Sequence, residues 1–462
     1  TPGEKINFKV SSTSRNHFNA KLIRVVSGDP NPEGPGLIEE DVKSNFSGTY
    51  PSRRQTINLG SYVKVPSNKS FDPSKGFTVG ATIWPTNIDI NDQCIISQFN
   101  SAHDAGMSLF VGPEGVSVVV ADGEKIIRLS IDRPLSERRW YHIWATFDHE
   151  SEKLGIYQTP VIDSFDLDSP LQKKIACSIR PTPTPKQPLI IGAAGNKKIT
   201  NCFNGKIERP FFINDAVNDK EALDIAKGKN DPRVTAAWDF SKNISSQDAL
   251  DISENKFHGK IINLPTRAVK GFLWDGSCFD WTKKPEHYGA IHFHDDDLYD
   301  CEWKTDFVFQ VPADFKSGIY AAKLETADNI KEMIPFFVTA PLKKPQARIC
   351  VLIPTFTYTV YANIARGNTN NAMRQRMKDW GAQKWSADDH IEYGLSTYNY
   401  HSDGSGIGYS SRRRPIITMR SNVISYPEVP GSGCRHFSAD SHLWYWLEAK
   451  GYDFDVITDD EI

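Results

Sequence analysis

The 462-residue sequence lacks any run approaching the roughly 18 consecutive apolar residues of a membrane-spanning helix. It also lacks an excess of positive charge: 54 Lys and Arg against 57 Asp and Glu leave a formal net charge of −3. That balance gives no electrostatic footprint for nucleic acid or an anionic membrane surface. Cysteines are few and scattered. Cys94, Cys177, Cys202, Cys278, Cys301, Cys350 and Cys434 form no C-x-x-C pair, so neither a zinc ribbon nor a dense disulfide framework is indicated. An odd number of dispersed thiols points to a reducing compartment, and the expectation is a soluble cytoplasmic protein with no nucleic-acid or membrane partner. An initiating methionine is missing as well. The chain opens Thr1-Pro2 with a strand-like "KINFKVSS" already under way and stops at Ile462 inside a βα pattern, so it reads as a fragment cut at both ends.

What is present, through about residue 340, is β structure. Short runs of β-branched and aromatic residues alternate with Gly, Pro, Asn and Asp clusters, as in "FTVGATIWP" (77–85), "VSVVVADG" (116–123), "WYHIWATFD" (140–148) and "PLIIGAAG" (188–195). Such spacing predicts sandwiches rather than βαβ units. One brief helix is predicted here, "NDKEALDIAKG" (218–228), with a glycine stop. Together with "FNGKIERPFFIN" and "AAWDFS", these strands resemble a laminin-G or concanavalin-like jelly roll over 55–245. Residues 1–54 and 246–340 form β-rich pieces of a small sandwich or Ig-like type, readable as one unit that the jelly roll interrupts.

The pattern changes after "PLKKPQ" (341–346), which reads as a linker. The continuous apolar run Ile349-Cys350-Val351-Leu352-Ile353 has the character of a parallel strand covered on both faces by helices. "SADSHLWYWLEAKG" predicts a helix capped by Ser438 or Asp440 and stopped by Gly451, and "YDFDVIT" predicts the next strand. The fold class expected is therefore multidomain and mainly β, followed by the start of an open α/β domain of flavodoxin or amidotransferase type at 345–462.

Tyr358 and Tyr361 lie just past the carboxyl end of that first strand, where open α/β sheets bind ligands. Aromatic packing with a solvated hydroxyl is the plain alternative. The segment "EYGLSTYNYHSDGSGIGYSSRRRP" (392–415) is a long Tyr-, Gly- and Ser-rich connection of the sort that is often functional. Its run Arg412, Arg413, Arg414 reads by default as solvated. "IHFHDDDLYD" (291–300) resembles a metal site, since His292 and His294 point the same way on a strand, but its place in the β half favours a structural turn.

"TYTVYAN" (357–363), "YGLSTYNYHSDGSG" (393–406) and "SSRRRPIITMR" (410–420) together resemble the N,N-dimethylformamidase large (beta) subunit family. "GDPNPEGPG", "GTYPSR", "FHDDDLYDCEW", "IPFFV" and "DSHLWYWLEAKGYDFDV" extend the likeness over nearly the whole chain. The resemblance implies a mononuclear iron (Fe3+) held by Tyr361, Tyr398 and a glutamate lying beyond residue 462. It implies hydrolysis of small formamides such as N,N-dimethylformamide to formate and amine, and a small companion subunit in a hetero-oligomer. Hard ferric iron suits phenolate and carboxylate oxygen. A bound cation also makes a phenol an anion near neutral pH, and metal-hydroxide attack on the formyl carbon is the mechanism expected. Thr357, Tyr358, His401 and Asp403 are candidates for supporting or substrate roles. Lacking the glutamate, the fragment is expected to be inactive alone. Two other readings stay open: a carbohydrate-binding or structural jelly roll, and a related amidase with a different small amide.

Overall fold

The elements that frame the sites are, in chain order, strands β1 (His17–Gly28), β2 (Gly76–Pro85), β3 (Tyr141–Asp148) and β4 (Gly205–Ile213), helix α1 (Asp219–Ala226), strands β5 (Ala290–Phe293), β6 (Gly318–Thr326) and β7 (Ile349–Ile353), helices α2 (Thr355–Val360) and α3 (Phe437–Ala449), and strand β8 (Phe454–Thr458). The structure is a computed structural model that describes residues 1–162, 169–341, 344–426 and 432–462, so Leu342 and Lys343 of the expected linker lie outside the described residues. The chain divides into two compact units. The first comprises Thr1–Ile57, Asp300–Tyr400 and Gly406–Ile462, and the second Asn58–Tyr299 and His401–Ser405.

The second unit holds two eight-stranded antiparallel sheets. Period-two alternation sends Val79, Ala81 and Ile83 of β2 and Ile143, Ala145 and Phe147 of β3 inward. There they meet Met107, Leu109, Val118 and Val120 of the facing sheet in one buried core. The opposite face of β2 and β3 is covered by α1, whose Ala222, Ile225 and Ala226 pack on Trp144, Tyr157 and Phe211. Asn218 starts α1 with a capping box, accepting from Glu221 N–H while the Glu221 side chain reaches back. On this same face Thr82 stands opposite His142 of β3 and Glu208 of β4, forming a polar row across three strands.

In the first unit the N-terminal residues fold with residues that follow Asp300. Strand Lys5–Phe8 pairs with Phe307–Gln310, and β1 pairs with β6. Phe8, Phe46, Phe307 and Phe309 fill the layer between them. The other face of β1 sends Ile23 and Val25 against Val351, Ile353, Tyr358, Phe437, Trp444 and Val456. Strands β7 and β8 pair in parallel, with Ile349 opposite Phe454 and Ile353 opposite Thr458. Parallel neighbours require a crossover, and the chain between them supplies α2 and α3.

Two expectations are corrected here. The run 349–353 is covered on one face only among the described residues: Val351 and Ile353 are buried, while Cys350 is exposed and Leu352 is 45% exposed. Strand alternation turns these two side chains away from the core that β1 and α3 provide. Helix α3 begins at Phe437, and the cap position is His436, with φ 50° and no side-chain cap. Ser438 is committed elsewhere, donating to the Arg420 carbonyl at 3.0 Å, and Asp440 accepts the Tyr358 hydroxyl. The glycine stop holds: Gly451, at φ 74°, follows the cap residue Lys450. Among the described residues no helix is long and apolar enough to cross a membrane.

Candidate metal centre

In the first unit, α2 follows β7 directly. Asp459, just past β8, accepts from the Phe356 N–H at 2.7 Å and fixes the start of the helix. Tyr361 closes α2, its N–H donating to the Thr357 carbonyl at 3.0 Å. Its ring stacks on that of Tyr398, with centroids 4.3 Å apart and planes 6° from parallel. The Arg435 guanidinium carbon lies 4.4 Å from the Tyr361 ring centre, and the His436 ring 4.9 Å away. Tyr398 is 57% exposed, and its hydrogen bond to Tyr361 raises its phenol above the ordinary value.

The loop that carries Tyr398 is tied to the end of α2 by short side chains. Ser396 and Thr397 hydroxyls both donate to the Val360 carbonyl, at 2.8 and 3.0 Å, and Ser396 Oγ accepts from the Tyr398 N–H at 3.1 Å. Asn399 brackets Ala365, accepting from its N–H at 3.1 Å and donating to its carbonyl at 2.7 Å. Asn363 is the central tie. Fully buried, it donates from Nδ2 to the carbonyls of Tyr393, Gly394 and Pro415 and accepts the Ile417 N–H at 2.9 Å. Its φ of 56° is a left-handed conformation that Asn tolerates better than most residues. Nothing in the local sequence marks this role, because every partner is a backbone atom at least 30 residues away.

Arg414 departs from the solvated basic run. It is buried, and burial pushes its guanidinium down to about 10. It donates to the carbonyls of Tyr393, Leu395 and Ser411. Gly394, at φ 80°, leaves room for it: a Cβ there would stand 2.2 Å from Arg414 Nη1. Arg412 and Arg413 are exposed and pair with Asp460 and Asp300.

The remaining first-unit candidates separate by environment. Tyr358 is buried, and burial together with the Asp440 carboxylate holds its phenol far above the ordinary range. It is a proton donor to Asp440, not an anion. Burial and the nearby Arg366 lower His436 to about 4, so its neutral ring accepts from Arg435 Nε at 3.2 Å. Thr357 is exposed on α2.

His401 and Asp403 belong to the second unit, where they join the histidines of the 291–300 segment. His292 Nε2 stands 3.1 Å from Asp403 Oδ2, and His294 Nδ1 stands 3.2 Å from Asp297 Oδ2. His401 Nδ1 is 2.6 Å from Asp296 Oδ1, and its ring lies 3.7 Å from that of His294 and within 4° of parallel. Burial raises the Asp403 carboxyl, but hydrogen bonds from His292, Ser405 and Thr86 outweigh it and hold the group well below the usual carboxylate range. Burial lowers His292, against the opposing pull of Asp403. His401 is raised: burial opposes its charge, but Asp296, Asp297 and Asp403 together prevail.

Residues 266–462 match the family described as N,N-dimethylformamidase beta subunit-like, C-terminal, and residues 58–222 match the concanavalin A-like lectin/glucanases superfamily. The whole chain is 34% identical to an N,N-dimethylformamidase beta subunit of Paracoccus aminophilus, covering 64% of it. It is also 34% identical to the corresponding subunit of an Alcaligenes species, covering 63%. The chain thus spans less than two thirds of the length of these relatives. Among solved structures, a putative carbohydrate binding protein from Bacteroides ovatus overlaps 57% of this chain and 91% of its own at 14% identity, with a TM-score of 0.34. A SAP-like pentraxin from Limulus polyphemus overlaps 46% of this chain and 82% of its own at 14% identity, with a TM-score of 0.25.

Proposed function

This chain belongs to the N,N-dimethylformamidase beta-subunit family, and from that premise we propose that Tyr361 and Tyr398 are ligands of a mononuclear ferric ion in an enzyme that hydrolyses the C–N bond of small formamides. The observation that carries the reading is the parallel ring pair itself. Two phenols from separate segments are held face to face beside a guanidinium, with one of them open to solvent. The donor set fits the ion: two phenol oxygens that share a hydrogen bond would become a pair of anionic oxygen ligands if a hard cation were bound and each phenol released its proton to solvent. A third ligand, a glutamate outside these residues, completes the set the family resemblance implies.

A ferric ion held there supplies Lewis acidity, which polarises an amide carbonyl and makes water a better nucleophile. The chain's own residues do the positioning. Asn363, Ser396 and Thr397 hold the Tyr398 loop on α2, and Arg435 offsets negative charge beside Tyr361. Tyr358, kept protonated against Asp440, braces the floor between α2 and α3 rather than ligating. The parallel pair β7–β8, with α2 at its carboxyl edge, is on this reading the beginning of an open α/β sheet whose ligand edge carries the tyrosines. The beta-subunit name of the relatives supports a companion subunit, and a small formamide is the substrate class proposed.

Metal analysis with a visible spectrum, on the natural full-length protein, tests this. The expected result is about one iron per chain, with a tyrosinate-to-iron absorption band that Tyr361→Phe and Tyr398→Phe each remove or shift, and formamide hydrolysis lost with the band. Iron-reconstituted protein that stays colourless would rule the reading out.

A further inference from the structure

We propose that His292, His294 and Asp403 form a second metal site, separate from the tyrosine pair, for a divalent transition ion of the zinc class. All the atoms concerned lie within the second unit. His292 Nε2 is 3.1 Å and His294 Nε2 3.9 Å from Asp403 Oδ2, and the three ligand atoms lie within 4.8 Å of one another. Ligand atoms about 2.0–2.1 Å from a tetrahedral zinc stand roughly 3.4 Å apart, and the two observed distances bracket that spacing. The imidazoles come from strand β5 and the residue that follows it, one strand-step apart, with ring centres 4.2 Å apart. Each ligand has a neighbour that orients it. Asp297 holds His294 Nδ1, which leaves Nε2 directed at the site, and Thr86 Oγ1 donates to Asp403 Oδ2 at 2.7 Å.

A count of protons favours an ion over a plain hydrogen-bond network. Ser405 Oγ lies 2.5 Å from Asp403 Oδ1 and 3.0 Å from His294 Nε2, yet a hydroxyl has one proton to give. The ionised carboxylate accepts only, so the serine proton goes to Asp403, and His294 Nε2 must then act as donor. On the other side of the ring, Asp297 Oδ2 already accepts from Ser61 Oγ at 2.6 Å and likewise only accepts. His294 Nδ1 must therefore donate as well. A cation at Nε2 would spare the ring from donating on both sides. His292 Nε2 and His294 Nε2 both face Asp403 Oδ2, at 3.1 and 3.9 Å, and that convergence favours the cation. On binding, His292 carries its proton on Nδ1, and Nε2 presents its lone pair. Two imidazoles and one carboxylate, with borderline nitrogen donors and a fourth position left to Ser405 or water, suit zinc better than magnesium or calcium.

The test is titration of Zn2+ alone into the natural full-length protein after removal of metal by a chelator. One tight equivalent per chain is expected. His292→Gln, a change at the less buried ligand, weakens binding at least a hundredfold, and Asp297→Asn weakens it ten- to a hundredfold. Tyr361→Phe with Tyr398→Phe leaves zinc binding unchanged, so failure of the iron reading and failure of this one are distinguishable. X-ray absorption of the zinc-loaded wild type reports two imidazole shells near 2.0–2.1 Å, which decides the matter if His292→Gln does not fold. Less than a tenth of an equivalent bound by folded wild type, binding indifferent to His292→Gln, or a zinc shell without imidazole would each overturn the proposal.

Discussion

Asn363 concentrates in one side chain most of what fixes the geometry around the tyrosine pair. Its amide serves three carbonyls and one N–H, all belonging to the segments that carry or flank Tyr398. Removing it takes this partner from the Gly394 and Pro415 carbonyls and the Ile417 N–H, while the Tyr393 carbonyl keeps Arg414, and an unpaired buried group of this kind costs about 1–3 kcal/mol. Asn363→Ala is therefore expected to destabilise the first unit by about 3 kcal/mol and, more specifically, to raise amide hydrogen exchange at residues 393–399 ahead of global unfolding. Asn363→Asp keeps the shape but loses both Nδ2 donors, and should behave alike. If exchange in 393–399 is unchanged in both variants, the Ser396 and Thr397 bonds to Val360 hold the loop by themselves. Tyr358 and Tyr361 were visible in the sequence because aromatic residues past an apolar run form a local pattern, whereas Tyr398 and the choice of the ligand pair rested on the family resemblance. Asn363 was not, because its partners are carbonyls contributed by residues distant in the chain. The pairing of His292 and His294 with Asp403 was hidden for the same reason: the local signal was a histidine pair in a turn, and the carboxylate that gives the pair a common target lies over a hundred residues on.

At the scale of the strands, the row His142–Thr82–Glu208 makes the second unit's stability depend on pH in two opposing ways. Burial, with Asp239 adding to it, raises Glu208 from 4.5 to about 7, against the Phe272 N–H and the Arg209 and Lys206 charges. The folded state thus keeps a proton the unfolded chain gives up, so this contribution is complete below pH 4.5 and lost as pH rises through 7. Burial lowers His142 from 6.5 to about 4, with Lys227 adding to the effect. Here the unfolded chain binds the proton, so the contribution is complete above pH 6.5 and lost as pH falls through 4. Each shift corresponds to about 3 kcal/mol. Between pH 4.5 and 6.5 the two slopes cancel, and denaturant titrations of the wild type should show little change from this row. Glu208→Gln should leave stability rising with pH over that window, and His142→Gln should leave it falling. Parallel profiles in the two variants would show that neither group titrates in the folded state as its environment dictates. The strands that make the row were legible from alternation alone. Its polar members were not, since alternation says which residues share a face and not that α1 meets Thr82 there while Gly271, Phe272 and Gly289 close over Glu208.

For the whole chain, the division into units follows from where apolar side chains find partners rather than from sequence order. The core of the second unit, from Val63 to Phe293, lies wholly within 58–299, whereas residues on both sides of that stretch pair with each other through β1 and β6. Turn-rich strand patterns announced β structure throughout and let the flanking pieces be read as one interrupted unit, but alternation alone does not say which distant strands pair. The short segment His401–Ser405 is the sharpest case: its flanks belong to one unit and its own residues to the other. A chain of residues 58–299 alone is accordingly expected to fold, with a cooperative melt and β circular dichroism, because its core is complete. It should melt below the second unit of the full chain, since Thr86, Asp295 and Asp296 lose the hydrogen bonds that His401, Ser402 and Asp403 provide. It should also bind zinc at least a hundredfold more weakly, having two imidazoles and no Asp403. A folded 58–299 chain with undiminished zinc affinity would remove Asp403 from the ligand set. A chain that does not fold without the five residues would make that segment part of the core rather than an addition to it.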